Sequence, residues 1–493
     1  MPDLILAQSI DERISDAITP VSSAIESVVF YSIPVAGVNL PLIVLWLVAA
    51  GLFFTVYLGF LNLRGPKHAL DLVRGQYSNP DDAGEVTHFQ ALATAVSGTV
   101  GLGNIAGVAV AIAIGGPGAT VWMIIAGFLG MSSKMAECTL GVKYRRERPD
   151  GTVSGGPMYY LEHGIAEVTG RVRAGKTLAI LFSISCIGGA IGAGNMFQAN
   201  QATAQIIAVT GGADSPIAGL RWVVGLAFAV TVGAVIIGGI KSIAKVTEKL
   251  VPIMAGVYLL AALFVILSNL TAVPAAFAEI FRQAFALDSA YGGIIGALIV
   301  GFQRAAFSNE AGIGSAAIAH SAVKTEHPAT EGHVALLEPF IDTVIICTMT
   351  ALIIVISGAY LDPVAGELGG VALTSAAFAT VLPWFPNVLA IAVIAFAFST
   401  MLTWSYYGMK STGYLFNDSE TAETVFKVIF CVFIVVGASL SLGPVIGISD
   451  SMLFLMAIPN VLGMYILARL VKREIHGYRD RVASGEIAKV DGH

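Results

Sequence analysis

The chain has 493 residues, 56% of them hydrophobic and only 12% charged, with a mean hydropathy of +0.79. A soluble domain carries roughly 25% charge, so this composition excludes a soluble globular protein and describes a polytopic membrane protein whose surroundings are a lipid bilayer. The net charge of −6 argues against nucleic acid as a partner. Cys138, Cys186, Cys347 and Cys431 all fall in apolar segments without metal-site spacing, and they read as buried thiols.

Residues 1–12 lack a basic region, and the apolar run Leu4 to Ala7 is too short for a signal peptide. Residues 10–35 read as amphipathic, which makes 1–36 an extracytoplasmic segment lying at the interface. Stretches of about 20 apolar residues then follow in order. Span 1 covers 40–61, span 2 89–114, span 3 118–144, span 4 178–210 and span 5 222–240. Span 6 covers 250–270 and precedes a short surface helix at 275–286. Span 7 covers 292–321, span 8 335–357, span 9 388–411, span 10 424–442 and span 11 449–471.

Lys and Arg set the orientation. Arg13, Arg221 and Arg282 alone fall in loops of one side. The dense runs, Lys143 to Arg148, Lys241 to Lys249 and Arg469 to Arg481, fall in the alternate loops and the tail. Those loops are expected to be cytoplasmic, with the N-terminus outside and the C-terminus inside.

Span 2 holds Ser97-Gly-Thr-Val-Gly-Leu-Gly-Asn-Ile-Ala-Gly107. Each glycine costs a helix about 1 kcal/mol relative to Ala, so the cluster predicts a break at membrane depth. The backbone groups it frees must face protein or a polar cavity. Freed amides at a half-helix N-terminus suit a carboxylate, and freed carbonyls suit a small cation. Span 7 carries a second interruption, Phe307-Ser-Asn-Glu-Ala-Gly-Ile-Gly-Ser315. Spans 2–6 and 7–11 form two units of five, and an odd number makes the second unit enter from the opposite side. Paired interruptions at the first helix of each unit mark an inverted-repeat transporter with its site at the midplane.

In span 4, Asn195, Gln198 and Gln201 fall near one face and suggest a wet cavity, with interhelical hydrogen bonding as the other reading. In span 9, Phe396, Ser399 and Thr400 share a face at i, i+3 and i+4. On spacing alone the two hydroxyls can back-bond to the preceding turn. With freed carbonyls of span 2 they can equally make a five-oxygen cage for a dehydrated monovalent cation. Trp404, one turn on, would present an aromatic wall. The ionisable residues inside spans are Lys134, Glu137, Arg304, Glu310, Glu338 and Asp342. Lys134 and Glu137 are spaced to pair, and Glu338 and Asp342 to share a basic partner such as Arg304. His320, His327 and His333 are placed in or beside loops.

These residues resemble the alanine-or-glycine:cation symporters, the sodium:alanine symporter family. The matching stretches are 97–107, Gly115-Gly-Pro-Gly118 with Trp122-Met123 and Gly130-Met131, Gly155-Gly-Pro-Met-Tyr-Tyr160, Phe307-Ser-Asn-Glu-Ala-Gly312 and Leu337-Glu-Pro-Phe-Ile-Asp-Thr343, within 40–475. The resemblance implies an all-α polytopic membrane protein of about 11 transmembrane helices. Its fold would be a LeuT-like five-plus-five inverted repeat with one extra N-terminal helix. The extra helix would lie in 37–62, the repeats in 89–270 and 291–472, and a cytoplasmic tail in 473–493.

The resemblance also implies a symporter, not an enzyme, that imports small neutral amino acids with co-transported sodium across the bacterial cytoplasmic membrane by alternating access. Carried over residue by residue, Ser97, Val100, Phe396, Ser399 and Thr400 would hold sodium. Amides near Leu102, Gly103 and Asn104 would hold the substrate carboxylate. Thr99, Gln198, Ala306 and Trp404 would complete the pocket. The pair Ala305-Ala306 departs from the family's Gly and bulky aliphatic, which predicts room for a larger substrate if Ala306 faces the cavity. The other reading of the same fold is a proton-coupled amino-acid transporter, with Glu310, Glu338 or Asp342 taking the proton. The expected partners are the amino acid, sodium and lipid, with the chain functional as a monomer.

Overall fold

The computed structural model describes residues 10–35, 37–79, 81–149, 151–286, 293–362 and 369–489. Residues 1–9 of the N-terminal segment, 291–292 at the start of the second expected repeat and 490–493 of the tail lie outside that set. The described chain is almost wholly helical. Its small hairpins pair Ser32–Val35 with Val38–Pro41 and Arg146–Glu147 with Val153–Ser154. The amphipathic N-terminal stretch is a helix, Ile10–Val29.

Span 1 is Leu42–Tyr57, span 3 Ala119–Lys143, span 4 Val172–Val209 and span 5 Arg221–Ile236. Span 6 is Gly239–Ser268, span 8 Pro328–Ser357, span 9 Phe385–Leu415, span 10 Glu420–Ser439 and span 11 Leu442–Ser484. Span 2 starts on a capping box: Thr87 accepts from the Gln90 amide, and Gln90 reaches back to the Thr87 amide. It then breaks into His88–Thr99 and Gly103–Gly115, bent by 47°. Span 7 runs over Gly293–Asn309, stops, and resumes as Ala316–His320. Among the described residues, seven helices are long and apolar enough to cross a bilayer, eight with the bent pair. Spans 1 and 5 are shorter apolar helices.

The sequence reading missed Gly370–Ala379, a helix between spans 8 and 9. Its ten residues are too few for a span, so a length filter passes over it. It packs on the half of span 2 that follows the glycine cluster's first residues, where Thr374 Oγ1 donates to the Ile105 carbonyl at 2.9 Å. The surface helix expected at 275–286 is Val273–Ala284. Part of the expected tail is a continuation of span 11 to Ser484.

The basic loops gather at one end. Arg145 donates to the carbonyls of Ala83, Ser321, Val323 and Thr325, tying together the loops after spans 1, 3 and 7. Arg146 and Arg148 pair with Asp418 after span 9, and Lys143 pairs with Glu474 on span 11. At the other end, Arg221 donates to the Ala438 carbonyl at 2.9 Å.

Candidate transport site

The break in span 2 is built from Val100, Gly101 and Leu102. Val100 leaves helical geometry with φ −74° and ψ 89°. The Gly101 amide then donates to Asn104 Oδ1 at 2.9 Å, and the Leu102 amide donates to Gln198 Oε1 at 3.3 Å. Side-chain oxygens therefore satisfy the freed amides at membrane depth. Gly101 is required by contact: a Cβ there would lie 2.5 Å from Thr400 Oγ1. Span 9 thus lies directly against the break.

Four of the five oxygen donors expected for a cation take part in one short hydrogen-bonded run. Thr400 Oγ1 donates to the Ser97 carbonyl at 2.9 Å, and Ser97 Oγ donates to the Ser399 carbonyl at 2.9 Å. Ser399 Oγ donates to the Phe396 carbonyl at 3.0 Å. Ser399 therefore back-bonds within its own helix, whereas Thr400 crosses to span 2. Val100, the fifth, sits at the break itself. All five residues are buried.

The interruption of span 7 is equally specific. Glu310 has φ 57°, a region a non-glycine residue rarely enters. Gly312 and Gly314 follow with φ 85° and 93°. This turn aims the buried Glu310 carboxylate at span 9, where Trp404 Nε1 donates to Oε1 at 3.1 Å, and Ser315 Oγ donates to Oε2. Trp404 packs directly against Gly194 of span 4, where an added Cβ would fall 2.1 Å from its Cγ. Phe197 and Phe307 meet edge to face at 5.0 Å, linking spans 4 and 7 beside Gln198.

The buried charges do not pair as the sequence spacing suggested. Lys134 pairs with Glu338 at 2.8 Å, and Glu137 accepts from Asn460 Nδ2 at 2.8 Å. Arg304 pairs with Asp450 of span 11, a residue the sequence reading did not single out. Asp342 instead accepts from Asn104 Nδ2 at 2.6 Å, Ser308 Oγ at 2.9 Å and Thr343 Oγ1 at 2.7 Å. Three donors hold this carboxylate where a second cation would otherwise be needed. His320 is fully buried at the end of the helix Ala316–His320 and bonds Glu331 through Nδ1 and Glu338 through Nε2. His88 at the start of span 2 also bonds Glu331.

The model of the sodium:alanine symporter family matches residues 25–491, nearly the whole chain. The chain belongs to the sodium:alanine symporter family. Three relatives are similar along most of their length. The sodium/alanine symporter AgcS of Methanococcus maripaludis is 38% identical over 441 residues, covering 89% of this chain and 94% of that one. The probable sodium/glutamine symporter GlnT of Bacillus subtilis is 34% identical, covering 90% and 89%. The putative sodium/proton-dependent alanine carrier protein YrbD of the same organism is 33% identical, covering 89% and 90%. The crystal structure of MhsT in complex with L-phenylalanine superposes with a TM-score of 0.55 at 17% identity, covering 78% of this chain and 89% of that one. This likeness establishes a LeuT-like fold.

Within this member of the family, some expected site residues converge and others do not. Leu102, Gly103, Asn104 and Gln198 meet at the break, whereas Trp404 bonds Glu310 in the interruption of span 7. Ser308, which the sequence reading placed only within the interruption of span 7, packs directly against Gly103. Thr99 turns its hydroxyl back to the carbonyls of Ala95 and Val96. Ala306 lines a small cleft with Leu47, Gly51, Leu129 and Ser133 of spans 1 and 3, none of which belongs to the break or to span 9. The reason is helical geometry: Phe307, one residue on, faces span 4, so Ala306 is rotated away from it. In span 4 only Gln198 reaches the break. Asn195 donates to the Phe430 carbonyl, Asn200 to those of Gly437 and Leu440, and Gln201 to Asn200. Asn195 and Asn200 thus bond across to span 10 and its end, and Gln201, which bonds Asn200 on its own helix, accepts from the Val371 amide of the helix Gly370–Ala379, in line with interhelical hydrogen bonding.

Proposed function

We propose that this protein is a sodium-coupled symporter that imports small neutral amino acids, alanine or glycine among them, across the cytoplasmic membrane by alternating access. The observation that carries this reading is the contact of Thr400 Oγ1 with the Ser97 carbonyl beside the broken stretch of span 2. It puts a hydroxyl and a freed half-helix end of opposite five-helix units within one ion's reach. Sodium entering among Ser97, Val100, Phe396, Ser399 and Thr400 replaces those hydrogen bonds with ligation and pulls span 9 onto span 2. The amides of Leu102 and Gly103 then receive the substrate carboxylate, with Gln198 Oε1 now occupying that acceptor position. Trp404 and Phe307 bound the side chain. Sodium and substrate stabilise the same closed arrangement, so each raises the affinity of the other. Each sodium charge adds about 2.3 kcal/mol of drive at 100 mV.

The two five-helix units act as an inverted repeat, with one copy of the chain sufficient for transport. The gathered basic loops support a cytoplasmic placement of that end and of the C-terminus. A Cys at Arg146 is then shielded from an impermeant thiol reagent outside whole cells, while one at Asp214 is labelled. The buried carboxylates of Asp342, bonded to Asn104 at the break, and of Glu310, in the interruption of span 7, support the second reading, proton coupling. Labelled alanine uptake into proteoliposomes separates the two. An inward sodium gradient at equal pH drives it in the first reading, and an inward proton gradient without sodium drives it in the second.

A further inference from the structure

Spans 6 and 9 diverge along one seam to leave a groove of about 670 Å³ that opens to the bilayer side. One end is basic: Lys245 and Lys249 stand one turn apart on span 6. Neither ammonium has an ion-pair or hydrogen-bond partner among the described residues. Below them the walls are apolar. Ile253 continues the lysine face of span 6, and Ile391, Ile394 and Phe398 form the facing wall on span 9. Ile253 is 64% exposed and Ile391 70%. Among the described residues, no carboxylate lines the groove. The acid within that stretch, Glu248, is turned to the other side, where it accepts from Gln90 Nε2 at 2.8 Å.

Two unpartnered cations at the membrane edge above an apolar trough match an anionic lipid in both charge and shape. The headgroup phosphate meets the lysines, and an acyl chain covers the isoleucines. We propose that this groove is a binding site for an anionic phospholipid, held by Lys245 and Lys249 with one acyl chain along Ile253, Ile391, Ile394 and Phe398. The orientation reading above places it in the inner leaflet, and the binding itself does not depend on that reading. The site lies behind the proposed sodium ligands, since Phe398 precedes Ser399, and Ser399 Oγ contacts Met254 Sδ of span 6 at 3.6 Å.

The test is native mass spectrometry of the full chain in detergent, titrated with phosphatidylglycerol or phosphatidylcholine. Wild type should bind phosphatidylglycerol in preference. K245Q/K249Q should bind it about 25-fold more weakly, on roughly 1 kcal/mol for each lysine near an anionic headgroup. Lys176→Gln, a basic residue elsewhere on the same end, should change nothing. Ile394→Trp, which fills the trough and keeps both lysines, should also weaken binding. This second variant keeps the test sound if the double lysine variant misfolds. Excess inorganic phosphate should not compete, because it has no chain to lay in the trough. The proposal is overturned if K245Q/K249Q binds as wild type does, if Lys176→Gln loses as much, if Ile394→Trp loses nothing, or if phosphate alone displaces the lipid.

Discussion

Trp404 Nε1 donates to Glu310 Oε1 at 3.1 Å, joining the middle of span 9 to the interruption of span 7. The carboxylate takes its second bond from Ser315, five residues on in its own turn. Glu310 is therefore both the bend of span 7 and the anchor of the indole that bounds the proposed transport site. Trp404→Phe keeps an aromatic ring and removes the donor. A hydrogen bond to a charged group is worth about 1.5–3 kcal/mol. Uptake by Trp404→Phe should therefore show a ten- to hundredfold higher KM for alanine at saturating sodium. An unchanged KM would mean that the indole position does not depend on Glu310.

Thr400 is the cross-helix member of the proposed sodium ligands, and Ser399 the local one. Thr400→Ala removes an oxygen from the cage and leaves the Ser97 carbonyl buried without its partner. The sodium concentration for half-maximal uptake should rise about tenfold or more, on roughly 1.5–3 kcal/mol for a polar contact to a charge lost from the bound state. High sodium should restore most of the alanine affinity. A variant that transports with wild-type sodium dependence places the cation elsewhere.

Arg304 and Asp450 form an ion pair that is 4% and 3% exposed, and Gln303 adds a bond to the same carboxylate at 3.1 Å. Breaking a buried pair on one side typically costs about 3–5 kcal/mol, because the remaining charge is stranded. Arg304→Met should lower the thermal midpoint by several degrees. Adding Asp450→Leu should recover much of that loss, since no charge then remains buried. A double variant no more stable than the single one would show that the pair is not the source of the loss.

Ala306 separates packing from selectivity. In the structure it faces Leu47 and Leu129, not the break in span 2. Ala306→Ile should leave the order in which serine, threonine and branched amino acids compete with labelled alanine as it is in wild type. Any change should appear as altered stability, because the added groups enter the cleft between spans 1 and 3. A reordered competition series would put Ala306 in the substrate pocket.

The parts of this molecule that depend on backbone chemistry were legible in the sequence. Four glycines between Ser97 and Gly107 can hardly sit in an unbroken helix, and the break falls among them. The same holds for Glu310 to Gly314, where two glycines accept positive φ. Composition and the order of apolar runs gave the helical membrane fold for the same reason. Side-chain partnerships were not legible, because they depend on rotation and on distant segments. Arg304 could be seen as needing a carboxylate, but Asp450 lay at the edge of a predicted span and gave no signal of its depth. His320 reads as lying in or beside a loop at the end of expected span 7, and the helix after the interruption is only five residues long. Its burial comes from Glu331 and Glu338, which reach it from the chain that follows. The family resemblance puts Ala306 in the pocket only if it faces the cavity, and that rotation is not readable from sequence; in the structure it lines a cleft against spans 1 and 3.

The central claim is that sodium and substrate close one shared arrangement of spans 2, 7 and 9, and its most direct test is the binding of each in the presence of the other. Sodium affinity of the purified protein, read by isothermal titration with and without saturating alanine, should increase in alanine. Alanine affinity should increase by the same factor in saturating sodium, as linkage requires. In Thr400→Ala both increases should shrink together. Sodium binding that is indifferent to alanine, with alanine bound equally well in potassium, would contradict the account.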